Sequence, residues 1–250
     1  MPEGPSIVIL KEEVSLFKNK KVKNVLGNTK TDVSRVKGRP VLEFRSWGKH
    51  FLICFDDFFI RIHLLMFGSY RINERKEGAA RLSLQFSKGE LNFYNCSVKV
   101  FEGSADSVYD WKADTMSDRW DPNKALEAIK QCKKSMICDV LLDQTIFAGV
   151  GNIIKNEVLF ITKIHPGAKI KDLPVKKLRE LVEVTRAYCF DFYAWKKKFE
   201  LKQHWLIYRK SICPRCNIPL VINYLGKTKR KTYFCPNCQF LSRKDFIKIS

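Results

Sequence analysis

Acidic residues are scarce in this chain of 250: 26 Asp and Glu face 46 Lys and Arg, leaving a formal charge of +20. No cluster of carboxylates stands out as a seat for catalytic metal ions, which weighs against a metal-dependent nuclease. Long hydrophobic runs are missing too. The most apolar stretch, HFLICFDDFFIRIHLLMF, is broken by Asp56, Asp57 and Arg61 and is too polar to span a bilayer. The first ten residues hold an acid and no base, the reverse of a secretory leader. Repeats and low-complexity tracts are absent. So is an even cysteine count, the mark of a disulfide framework: there are nine, four of them in two CxxC pairs. Cys54, Cys96, Cys132, Cys138 and Cys189 lie among apolar neighbours, as buried free thiols do. Together these absences predict a reduced, cytosolic, metal-binding protein with no membrane span.

What is present is positive charge, unevenly placed. Residues 196–250 carry 14 Lys or Arg against 2 Asp or Glu, so +12 of the +20 sits in that tail. A surplus of this size calls for a polyanionic partner, nucleic acid first and an anionic membrane second. Apolar residues make up 45% of the chain, enough for one large domain or two smaller ones.

After the opening MPEGP, Ile7, Leu10, Val14 and Phe17 recur at helical spacing and Pro5 suits a first helical turn. Pro2 and Glu3 are therefore expected at the mouth of a helix. From Lys21 to about Gly103, short runs rich in Val, Ile, Phe and Tyr are separated by DD, NERKEG and SKGE turns. That pattern predicts an antiparallel β-sandwich. A polar stretch near 104–123 reads as a linker. ALEAIKQCKK, ICDVLLDQTIF, IIKNEVLFI and a long segment from Leu173 to about Trp205 read as helices, broken at GVGN and HPG. The fold class is thus α+β.

Three constellations carry chemistry. Cys213 and Cys216 in CPRC, with Cys235 and Cys238 in CPNC, fit the four-thiolate zinc template, a closed structural shell with no open position. Between the pairs, LGKTKRKTYF reads as a β-hairpin with a basic tip, a nucleic-acid-contacting finger that suits a transcription factor as well as an enzyme. In LLDQTIFAGVGNIIKNEVLF, glycines lead into a new helix whose free N–H groups can hold a phosphate, with Asn152 adding an amide. An ordinary Gly-terminated helix hairpin has the same spacing. At the start, Pro2 becomes a secondary amine once Met1 is trimmed. A terminal amine titrates near pH 8 against about 10.4 for lysine, so far more of it is nucleophilic at neutral pH. Such an amine can condense with an aldehyde-level carbon to an iminium, with Glu3 moving protons beside it.

Taken in order, MPEGP, SWGKHFL at 46–52, RIHLLMFGSYRI at 61–72, LLDQTIFAGVGNIIKNEVLF at 141–160 and the CxxC…KRKTYFCPNCQ ending resemble the formamidopyrimidine-DNA glycosylase / endonuclease VIII family. The resemblance runs along essentially the whole chain. It implies a bifunctional DNA glycosylase and AP lyase of base-excision repair. The implied parts are a β-sandwich catalytic domain over 1–118, a helix–two-turns–helix domain over 119–206 and a zinc finger over 207–250. By resemblance, Pro2 is the nucleophile toward C1′, Glu3 the general acid, Lys49 the lysine of the β-hairpin and Arg230 the finger-tip arginine of δ-elimination. Asn152 binds phosphate, Met66 and Phe67 wedge into the base stack, and His63 is structural.

One departure narrows the branch. Members that excise 8-oxoguanine carry an Arg-Arg-Phe run where LNFYNCSVKVF here offers Ser97, Val98 and Lys99. The chain therefore looks like the endonuclease VIII branch, directed at oxidised pyrimidines. The purine-directed branch and a non-enzymatic zinc-finger DNA-binding protein are the alternatives. The resemblance also implies one structural zinc per chain, no metal in the chemistry and damaged, mainly duplex DNA as partner. A monomeric state and a bacterial-type, cytoplasmic and nucleoid-associated location are implied in the same way.

Overall fold

In the computed structural model, which describes residues 2–239 and Leu241, helix α1 (Gly4–Glu13) begins where its sequence allows. Pro5 occupies the first turn, where its missing N–H is no loss, and Glu3 sits at the N-cap with extended backbone. Ile7, Leu10, Val14 and Phe17 are all fully buried, the last on a 3-10 turn beyond α1.

Six strands follow: β1 (Asn24–Leu26), β2 (Glu43–Trp47), β3 (His50–Cys54), β4 (Phe58–Ile72), β5 (Leu82–Gln85) and β6 (Glu90–Glu102). They form one antiparallel sheet in the order β1-β5-β6-β4-β3-β2. The long strands β4 and β6 pair along both halves, with a register shift between Leu64 and Ser69. One core draws Phe44, Phe51, Ile53 and Ile60 from the β2–β3 half and Leu82, Leu84, Leu91 and Phe93 from the other. The Phe51 and Phe93 rings lie 5.7 Å apart, so the sheet folds over on itself into two facing layers. That is the expected sandwich, made from one continuous sheet.

The chain divides into compact units at Met1–Trp111 and Lys112–Ser250. The stretch expected as a linker is built in on both sides of this division. Ala105, Tyr109 and Trp111 pack with Leu52 and Phe59 in a second cluster. Arg45 stacks over Trp111 at 4.0 Å and chelates Asp106, fastening the segment to β2. Beyond the division, the backbone N–H and hydroxyl of Thr115 both donate to the Ala148 carbonyl, so residues from Lys112 on belong with the helices.

The second unit comprises α2 (Pro122–Gln131), α3 (Ile137–Val140), α4 (Asn152–Ile161) and α5 (Val175–Lys197), then a hairpin of β7 (Val221–Leu225) and β8 (Arg230–Phe234). Asp121 caps α2 by accepting from the N–H groups of Asn123 and Lys124. The helix expected over ICDVLLDQTIF stops at Val140. Asp143 instead accepts from the N–H and hydroxyl of Thr145, a local turn that competes with the helical bond. Helix α5 ends at Lys197 rather than near Trp205, because Phe199 adopts a left-handed backbone with φ of 61°. Among the described residues no helix is long and apolar enough to cross a membrane.

Candidate nucleic-acid interface

In the first unit the residues singled out at the start of the chain lie at the N-terminal end of α1, the helix that packs on the two strands of the hairpin. Glu3 is fully buried, and α1 packs against both β2 and β3. Those two strands are joined by Gly48 and Lys49 alone, since Trp47 pairs with His50 across the hairpin. Gly48 takes φ of 52°, the conformation a two-residue loop needs at its first position. So Pro2 and Glu3 stand at the mouth of a helix seated on the element that carries Lys49.

Positive charge gathers around that hairpin. His50 and His63 face each other at 5.1 Å on the paired strands β3 and β4. Burial first, then Arg61, His63 and Lys49, holds His50 down at about 3. His63 is lowered as well, by burial and then by Lys49 and Arg61. Both imidazoles are therefore neutral at physiological pH, and His50 Nδ1 lies 3.2 Å from the Tyr109 hydroxyl.

Met66 and Phe67 are thrust outward by the β4 irregularity. Leu64 pairs with Cys96 and Ser69 with Tyr94, so four residues of β4 stand opposite Asn95 alone. Phe67 is 81% exposed and Met66 53%. Together with Leu65, Asn28, Arg81 and Asn95 they border a cavity of about 500 Å³. Ser97, Val98 and Lys99, by contrast, sit in regular register with His63, Ile62 and Arg61, and Val98 points into the core.

In the second unit Asn152 and Arg230 are drawn to one place. Asn152 opens α4, and its side-chain amide donates to the Lys231 carbonyl, next to Arg230, at 2.9 Å. The turns before it are pinned by Gln144, which bonds the Leu142 and Val150 carbonyls and the Gly149 N–H. Gly149 has φ of 100°, which favours glycine. The hairpin tip 226–229 and the start of β8 expose Lys227, Lys229, Arg230 and Lys231. Asp139 of α3 fixes that tip by accepting the Lys227 N–H at 2.8 Å. A side chain at Gly226 would strike the same carboxylate.

The four cysteine Sγ atoms lie within 4.8 Å of one another, with Cys213 and Cys216 at 3.8 and 3.1 Å from Cys238. A tetrahedral Zn–S shell has sulfur edges of about 3.8 Å. Asn237 donates its amide to Cys216 Sγ, and the Cys238 N–H points at Cys235 Sγ, the partners that thiolates take. Four sulfurs and no open position make this set able to hold one structural zinc ion.

Sequence reasoning missed how the finger is held. Lys155, Asn156 and Glu157 are all fully buried on α4. Lys155 reaches the Thr232 hydroxyl, and Asn156 accepts the Tyr233 N–H. Glu157 accepts three backbone N–H groups, from Leu206, Ile207 and Tyr208. At the far end of α4, Arg215 of CPRC donates to the Phe160 and Ile161 carbonyls. The signal was visible as three consecutive polar residues inside the apolar run NIIKNEVLFI.

Residues 1–97 match the formamidopyrimidine-DNA glycosylase N-terminal domain, and residues 112–188 match the formamidopyrimidine-DNA glycosylase H2TH domain. The chain is 34% identical over 221 residues to Endonuclease 8-like 3 of Xenopus laevis, covering 83% of this chain and 36% of the relative. It is 36% identical over 197 residues to Endonuclease 8-like 2 of Bos taurus, covering 72% and 58%. The chain thus spans about a third to three fifths of the curated relatives' length. A formamidopyrimidine-DNA glycosylase of Lactococcus lactis, solved on DNA containing an AP site, superposes with a TM-score of 0.84 at 22% identity, over 96% of this chain and 100% of that one. A viral DNA glycosylase gives 0.83 at 23% identity, over 95% and 100%. These vertebrate relatives overturn the expected bacterial-type, cytoplasmic and nucleoid-associated location. With both domains matched in order and the fold shared, the chain belongs to the formamidopyrimidine-DNA glycosylase / endonuclease VIII family.

Proposed function

We propose that the chain is a DNA glycosylase and AP lyase that removes oxidised pyrimidines from duplex DNA, acting as a monomer. The observation that carries this reading is the buried Glu3 beside Pro2, at the mouth of a helix seated on the Lys49 hairpin. With Met1 removed, the Pro2 nitrogen attacks C1′ of the damaged nucleotide as the glycosidic bond breaks and the base leaves with a proton. Glu3 serves as the acid that opens the sugar ring. Loss of the amine proton leaves an iminium, an electron sink that acidifies C2′. Removal of a C2′ proton then expels the 3′ phosphate, and a second elimination expels the 5′ phosphate. Lys49 supplies positive charge at the reacting backbone. Asn152 and Arg230, held together on the second unit, suit a phosphate on either side of the lesion. Cys213, Cys216, Cys235 and Cys238 hold a zinc ion that shapes the finger and takes no part in bond-making.

The pyrimidine preference rests on β6. An arginine and a phenylalanine on this strand would fill the space of a flipped nucleotide and pair its orphaned partner. Here the corresponding residues lie in a paired strand with Val98 turned inward. Met66 and Phe67 remain as an apolar wedge, which reads no partner base. Single-turnover excision from duplexes that differ only in the lesion tests this. Thymine glycol or dihydrouracil should be removed at least tenfold faster than 8-oxoguanine opposite cytosine. Equal rates with a clear preference for cytosine opposite would instead favour the purine-directed branch.

A further inference from the structure

The end of α5 breaks a local rule at a large aromatic residue. The Glu200 N–H bonds the Trp195 carbonyl at 2.9 Å and the Phe199 N–H bonds the Lys196 carbonyl at 3.1 Å. This pair of bonds is the Schellman ending, whose left-handed residue is ordinarily glycine, or asparagine. Here that residue is Phe199, with φ of 61°. A side chain in this conformation is strained, and packing can compensate for strain. Nothing of the kind happens at Phe199, which is 95% exposed. It is the most exposed large hydrophobic residue among those described.

The tip around it is basic. Trp195 stacks flat on His204, with centroids 4.3 Å apart and planes 7° from parallel, closing the loop that carries Phe199. Lys197, Lys198 and Lys202 are exposed beside it, and the Lys197 ammonium rests against the Tyr193 hydroxyl. Lysines at a helix C-terminus also complement its dipole, and that accounts for them without any ligand. It does not account for Phe199. Where a chain accepts both strain and exposure with no return to its own stability, the return lies in what it binds.

We propose that the Phe199 tip is a stacking contact for an unpaired nucleobase, with Lys197, Lys198 and Lys202 holding the flanking phosphates of single-stranded DNA. The proposal deepens the DNA-binding reading above by adding a contact outside the lesion. An aromatic face among cations is the arrangement that grips single strands irrespective of sequence. Paired bases inside a duplex show no free face to such a tip. The charge of +20 favours a polyanion over a neutral partner.

The test uses the full chain and an undamaged single-stranded oligonucleotide carrying 2-aminopurine, so it requires neither a lesion nor cleavage. Its outcome is therefore separable from failure of the Pro2 chemistry. Binding should change the 2-aminopurine emission. Phe199→Gly suits the left-handed position, so its melting temperature should equal or exceed that of the wild type. Its affinity for the oligonucleotide should fall about tenfold, with the stacking signal lost. Phe199→Trp should restore both. Replacing Lys197, Lys198 and Lys202 with Ala should flatten the salt dependence by about 0.7 per lysine while the stacking signal persists at low salt. Unchanged affinity and emission in Phe199→Gly would overturn the proposal. So would loss of binding to phosphatidylserine vesicles with oligonucleotide binding intact, which would make the tip a membrane contact.

Discussion

Gly68 makes the wedge geometry possible. A Cβ there would lie 2.7 Å from the Leu65 nitrogen and 2.8 Å from the Asn95 carbonyl oxygen, backbone atoms that cannot swing aside. Gly68→Ala should destabilise the chain by about 2 kcal/mol or more through overpacking. Because the clash lies inside the irregularity that projects Met66 and Phe67, damage to that loop should accompany it. Denaturant unfolding checks the first effect, and an unchanged midpoint would contradict it. His50 sets a second residue-scale expectation. Its charged form is suppressed down to about 3 in the fold, against about 6.5 in an unfolded chain. Below pH 6.5 the unfolded state therefore binds a proton that the native state refuses. The stability is full above that pH and is lost as pH falls toward 3, by up to about 1.4 kcal/mol per pH unit from this group. Glu90 continues the trend at lower pH. The Arg75 fork, then Asn92 and Gln85, lowers it from near 4.5 to about 2, so its contribution fades across that window. His50→Gln should flatten the slope between pH 6.5 and 5, measured by urea unfolding at a series of pH values. A wild-type slope in the variant would contradict the assignment.

At the scale of elements, α4 is the spine of the second unit. It binds β8 through Lys155 and Asn156, the segment entering the finger through Glu157 and the first cysteine knuckle through Arg215. Burial pushes the Glu157 carboxyl up, while its three N–H partners pull the other way. Glu157→Ala would strip the acceptor from those three groups at about 1 kcal/mol each. A loss of about 2–4 kcal/mol in the second unit should follow, with weaker zinc retention in dialysis. A loss under 0.5 kcal/mol would show that water replaces the carboxylate. What was legible in the sequence here was local. The cysteine spacing, the basic hairpin and the Gly-Val-Gly-Asn break each announce themselves within a few residues. The bond from Asp139 to Lys227 and those from Glu157 to 206–208 join residues far apart in sequence, where no periodicity reaches. The end of α3 departs from the apolar pattern for a local reason instead. Apolar spacing through Leu142 and Ile146 suited a helix, but the Asp143 side chain captured the backbone first. The sandwich was readable from alternation, whereas the register shift that sets four residues of β4 opposite Asn95 was not, because it depends on how two distant strands pair.

On the whole molecule, charge is arranged as well as abundant. In the first unit Arg35, Arg39, Arg45 and Arg75 are tied to Asp57, Asp56, Asp106 and Glu90. The finger tip and the end of α5 instead present exposed cations, in keeping with a surplus concentrated beyond residue 195. Affinity for undamaged duplex should accordingly fall steeply between 50 and 200 mM salt, as released counterions require. The finger shares its unit with the helices, so Cys235→Ser should lose zinc and lower the melting of that unit while residues 1–111 keep their fold. At the other end of the chain, Pro2 is the proposed nucleophile. Borohydride added to the full chain on a duplex with one abasic site tests that role most directly. The account predicts a reduced protein–DNA adduct that maps to Pro2 and falls at least tenfold in Pro2→Gly. An adduct of undiminished yield in that variant, mapped to Lys49 or another lysine, would contradict it.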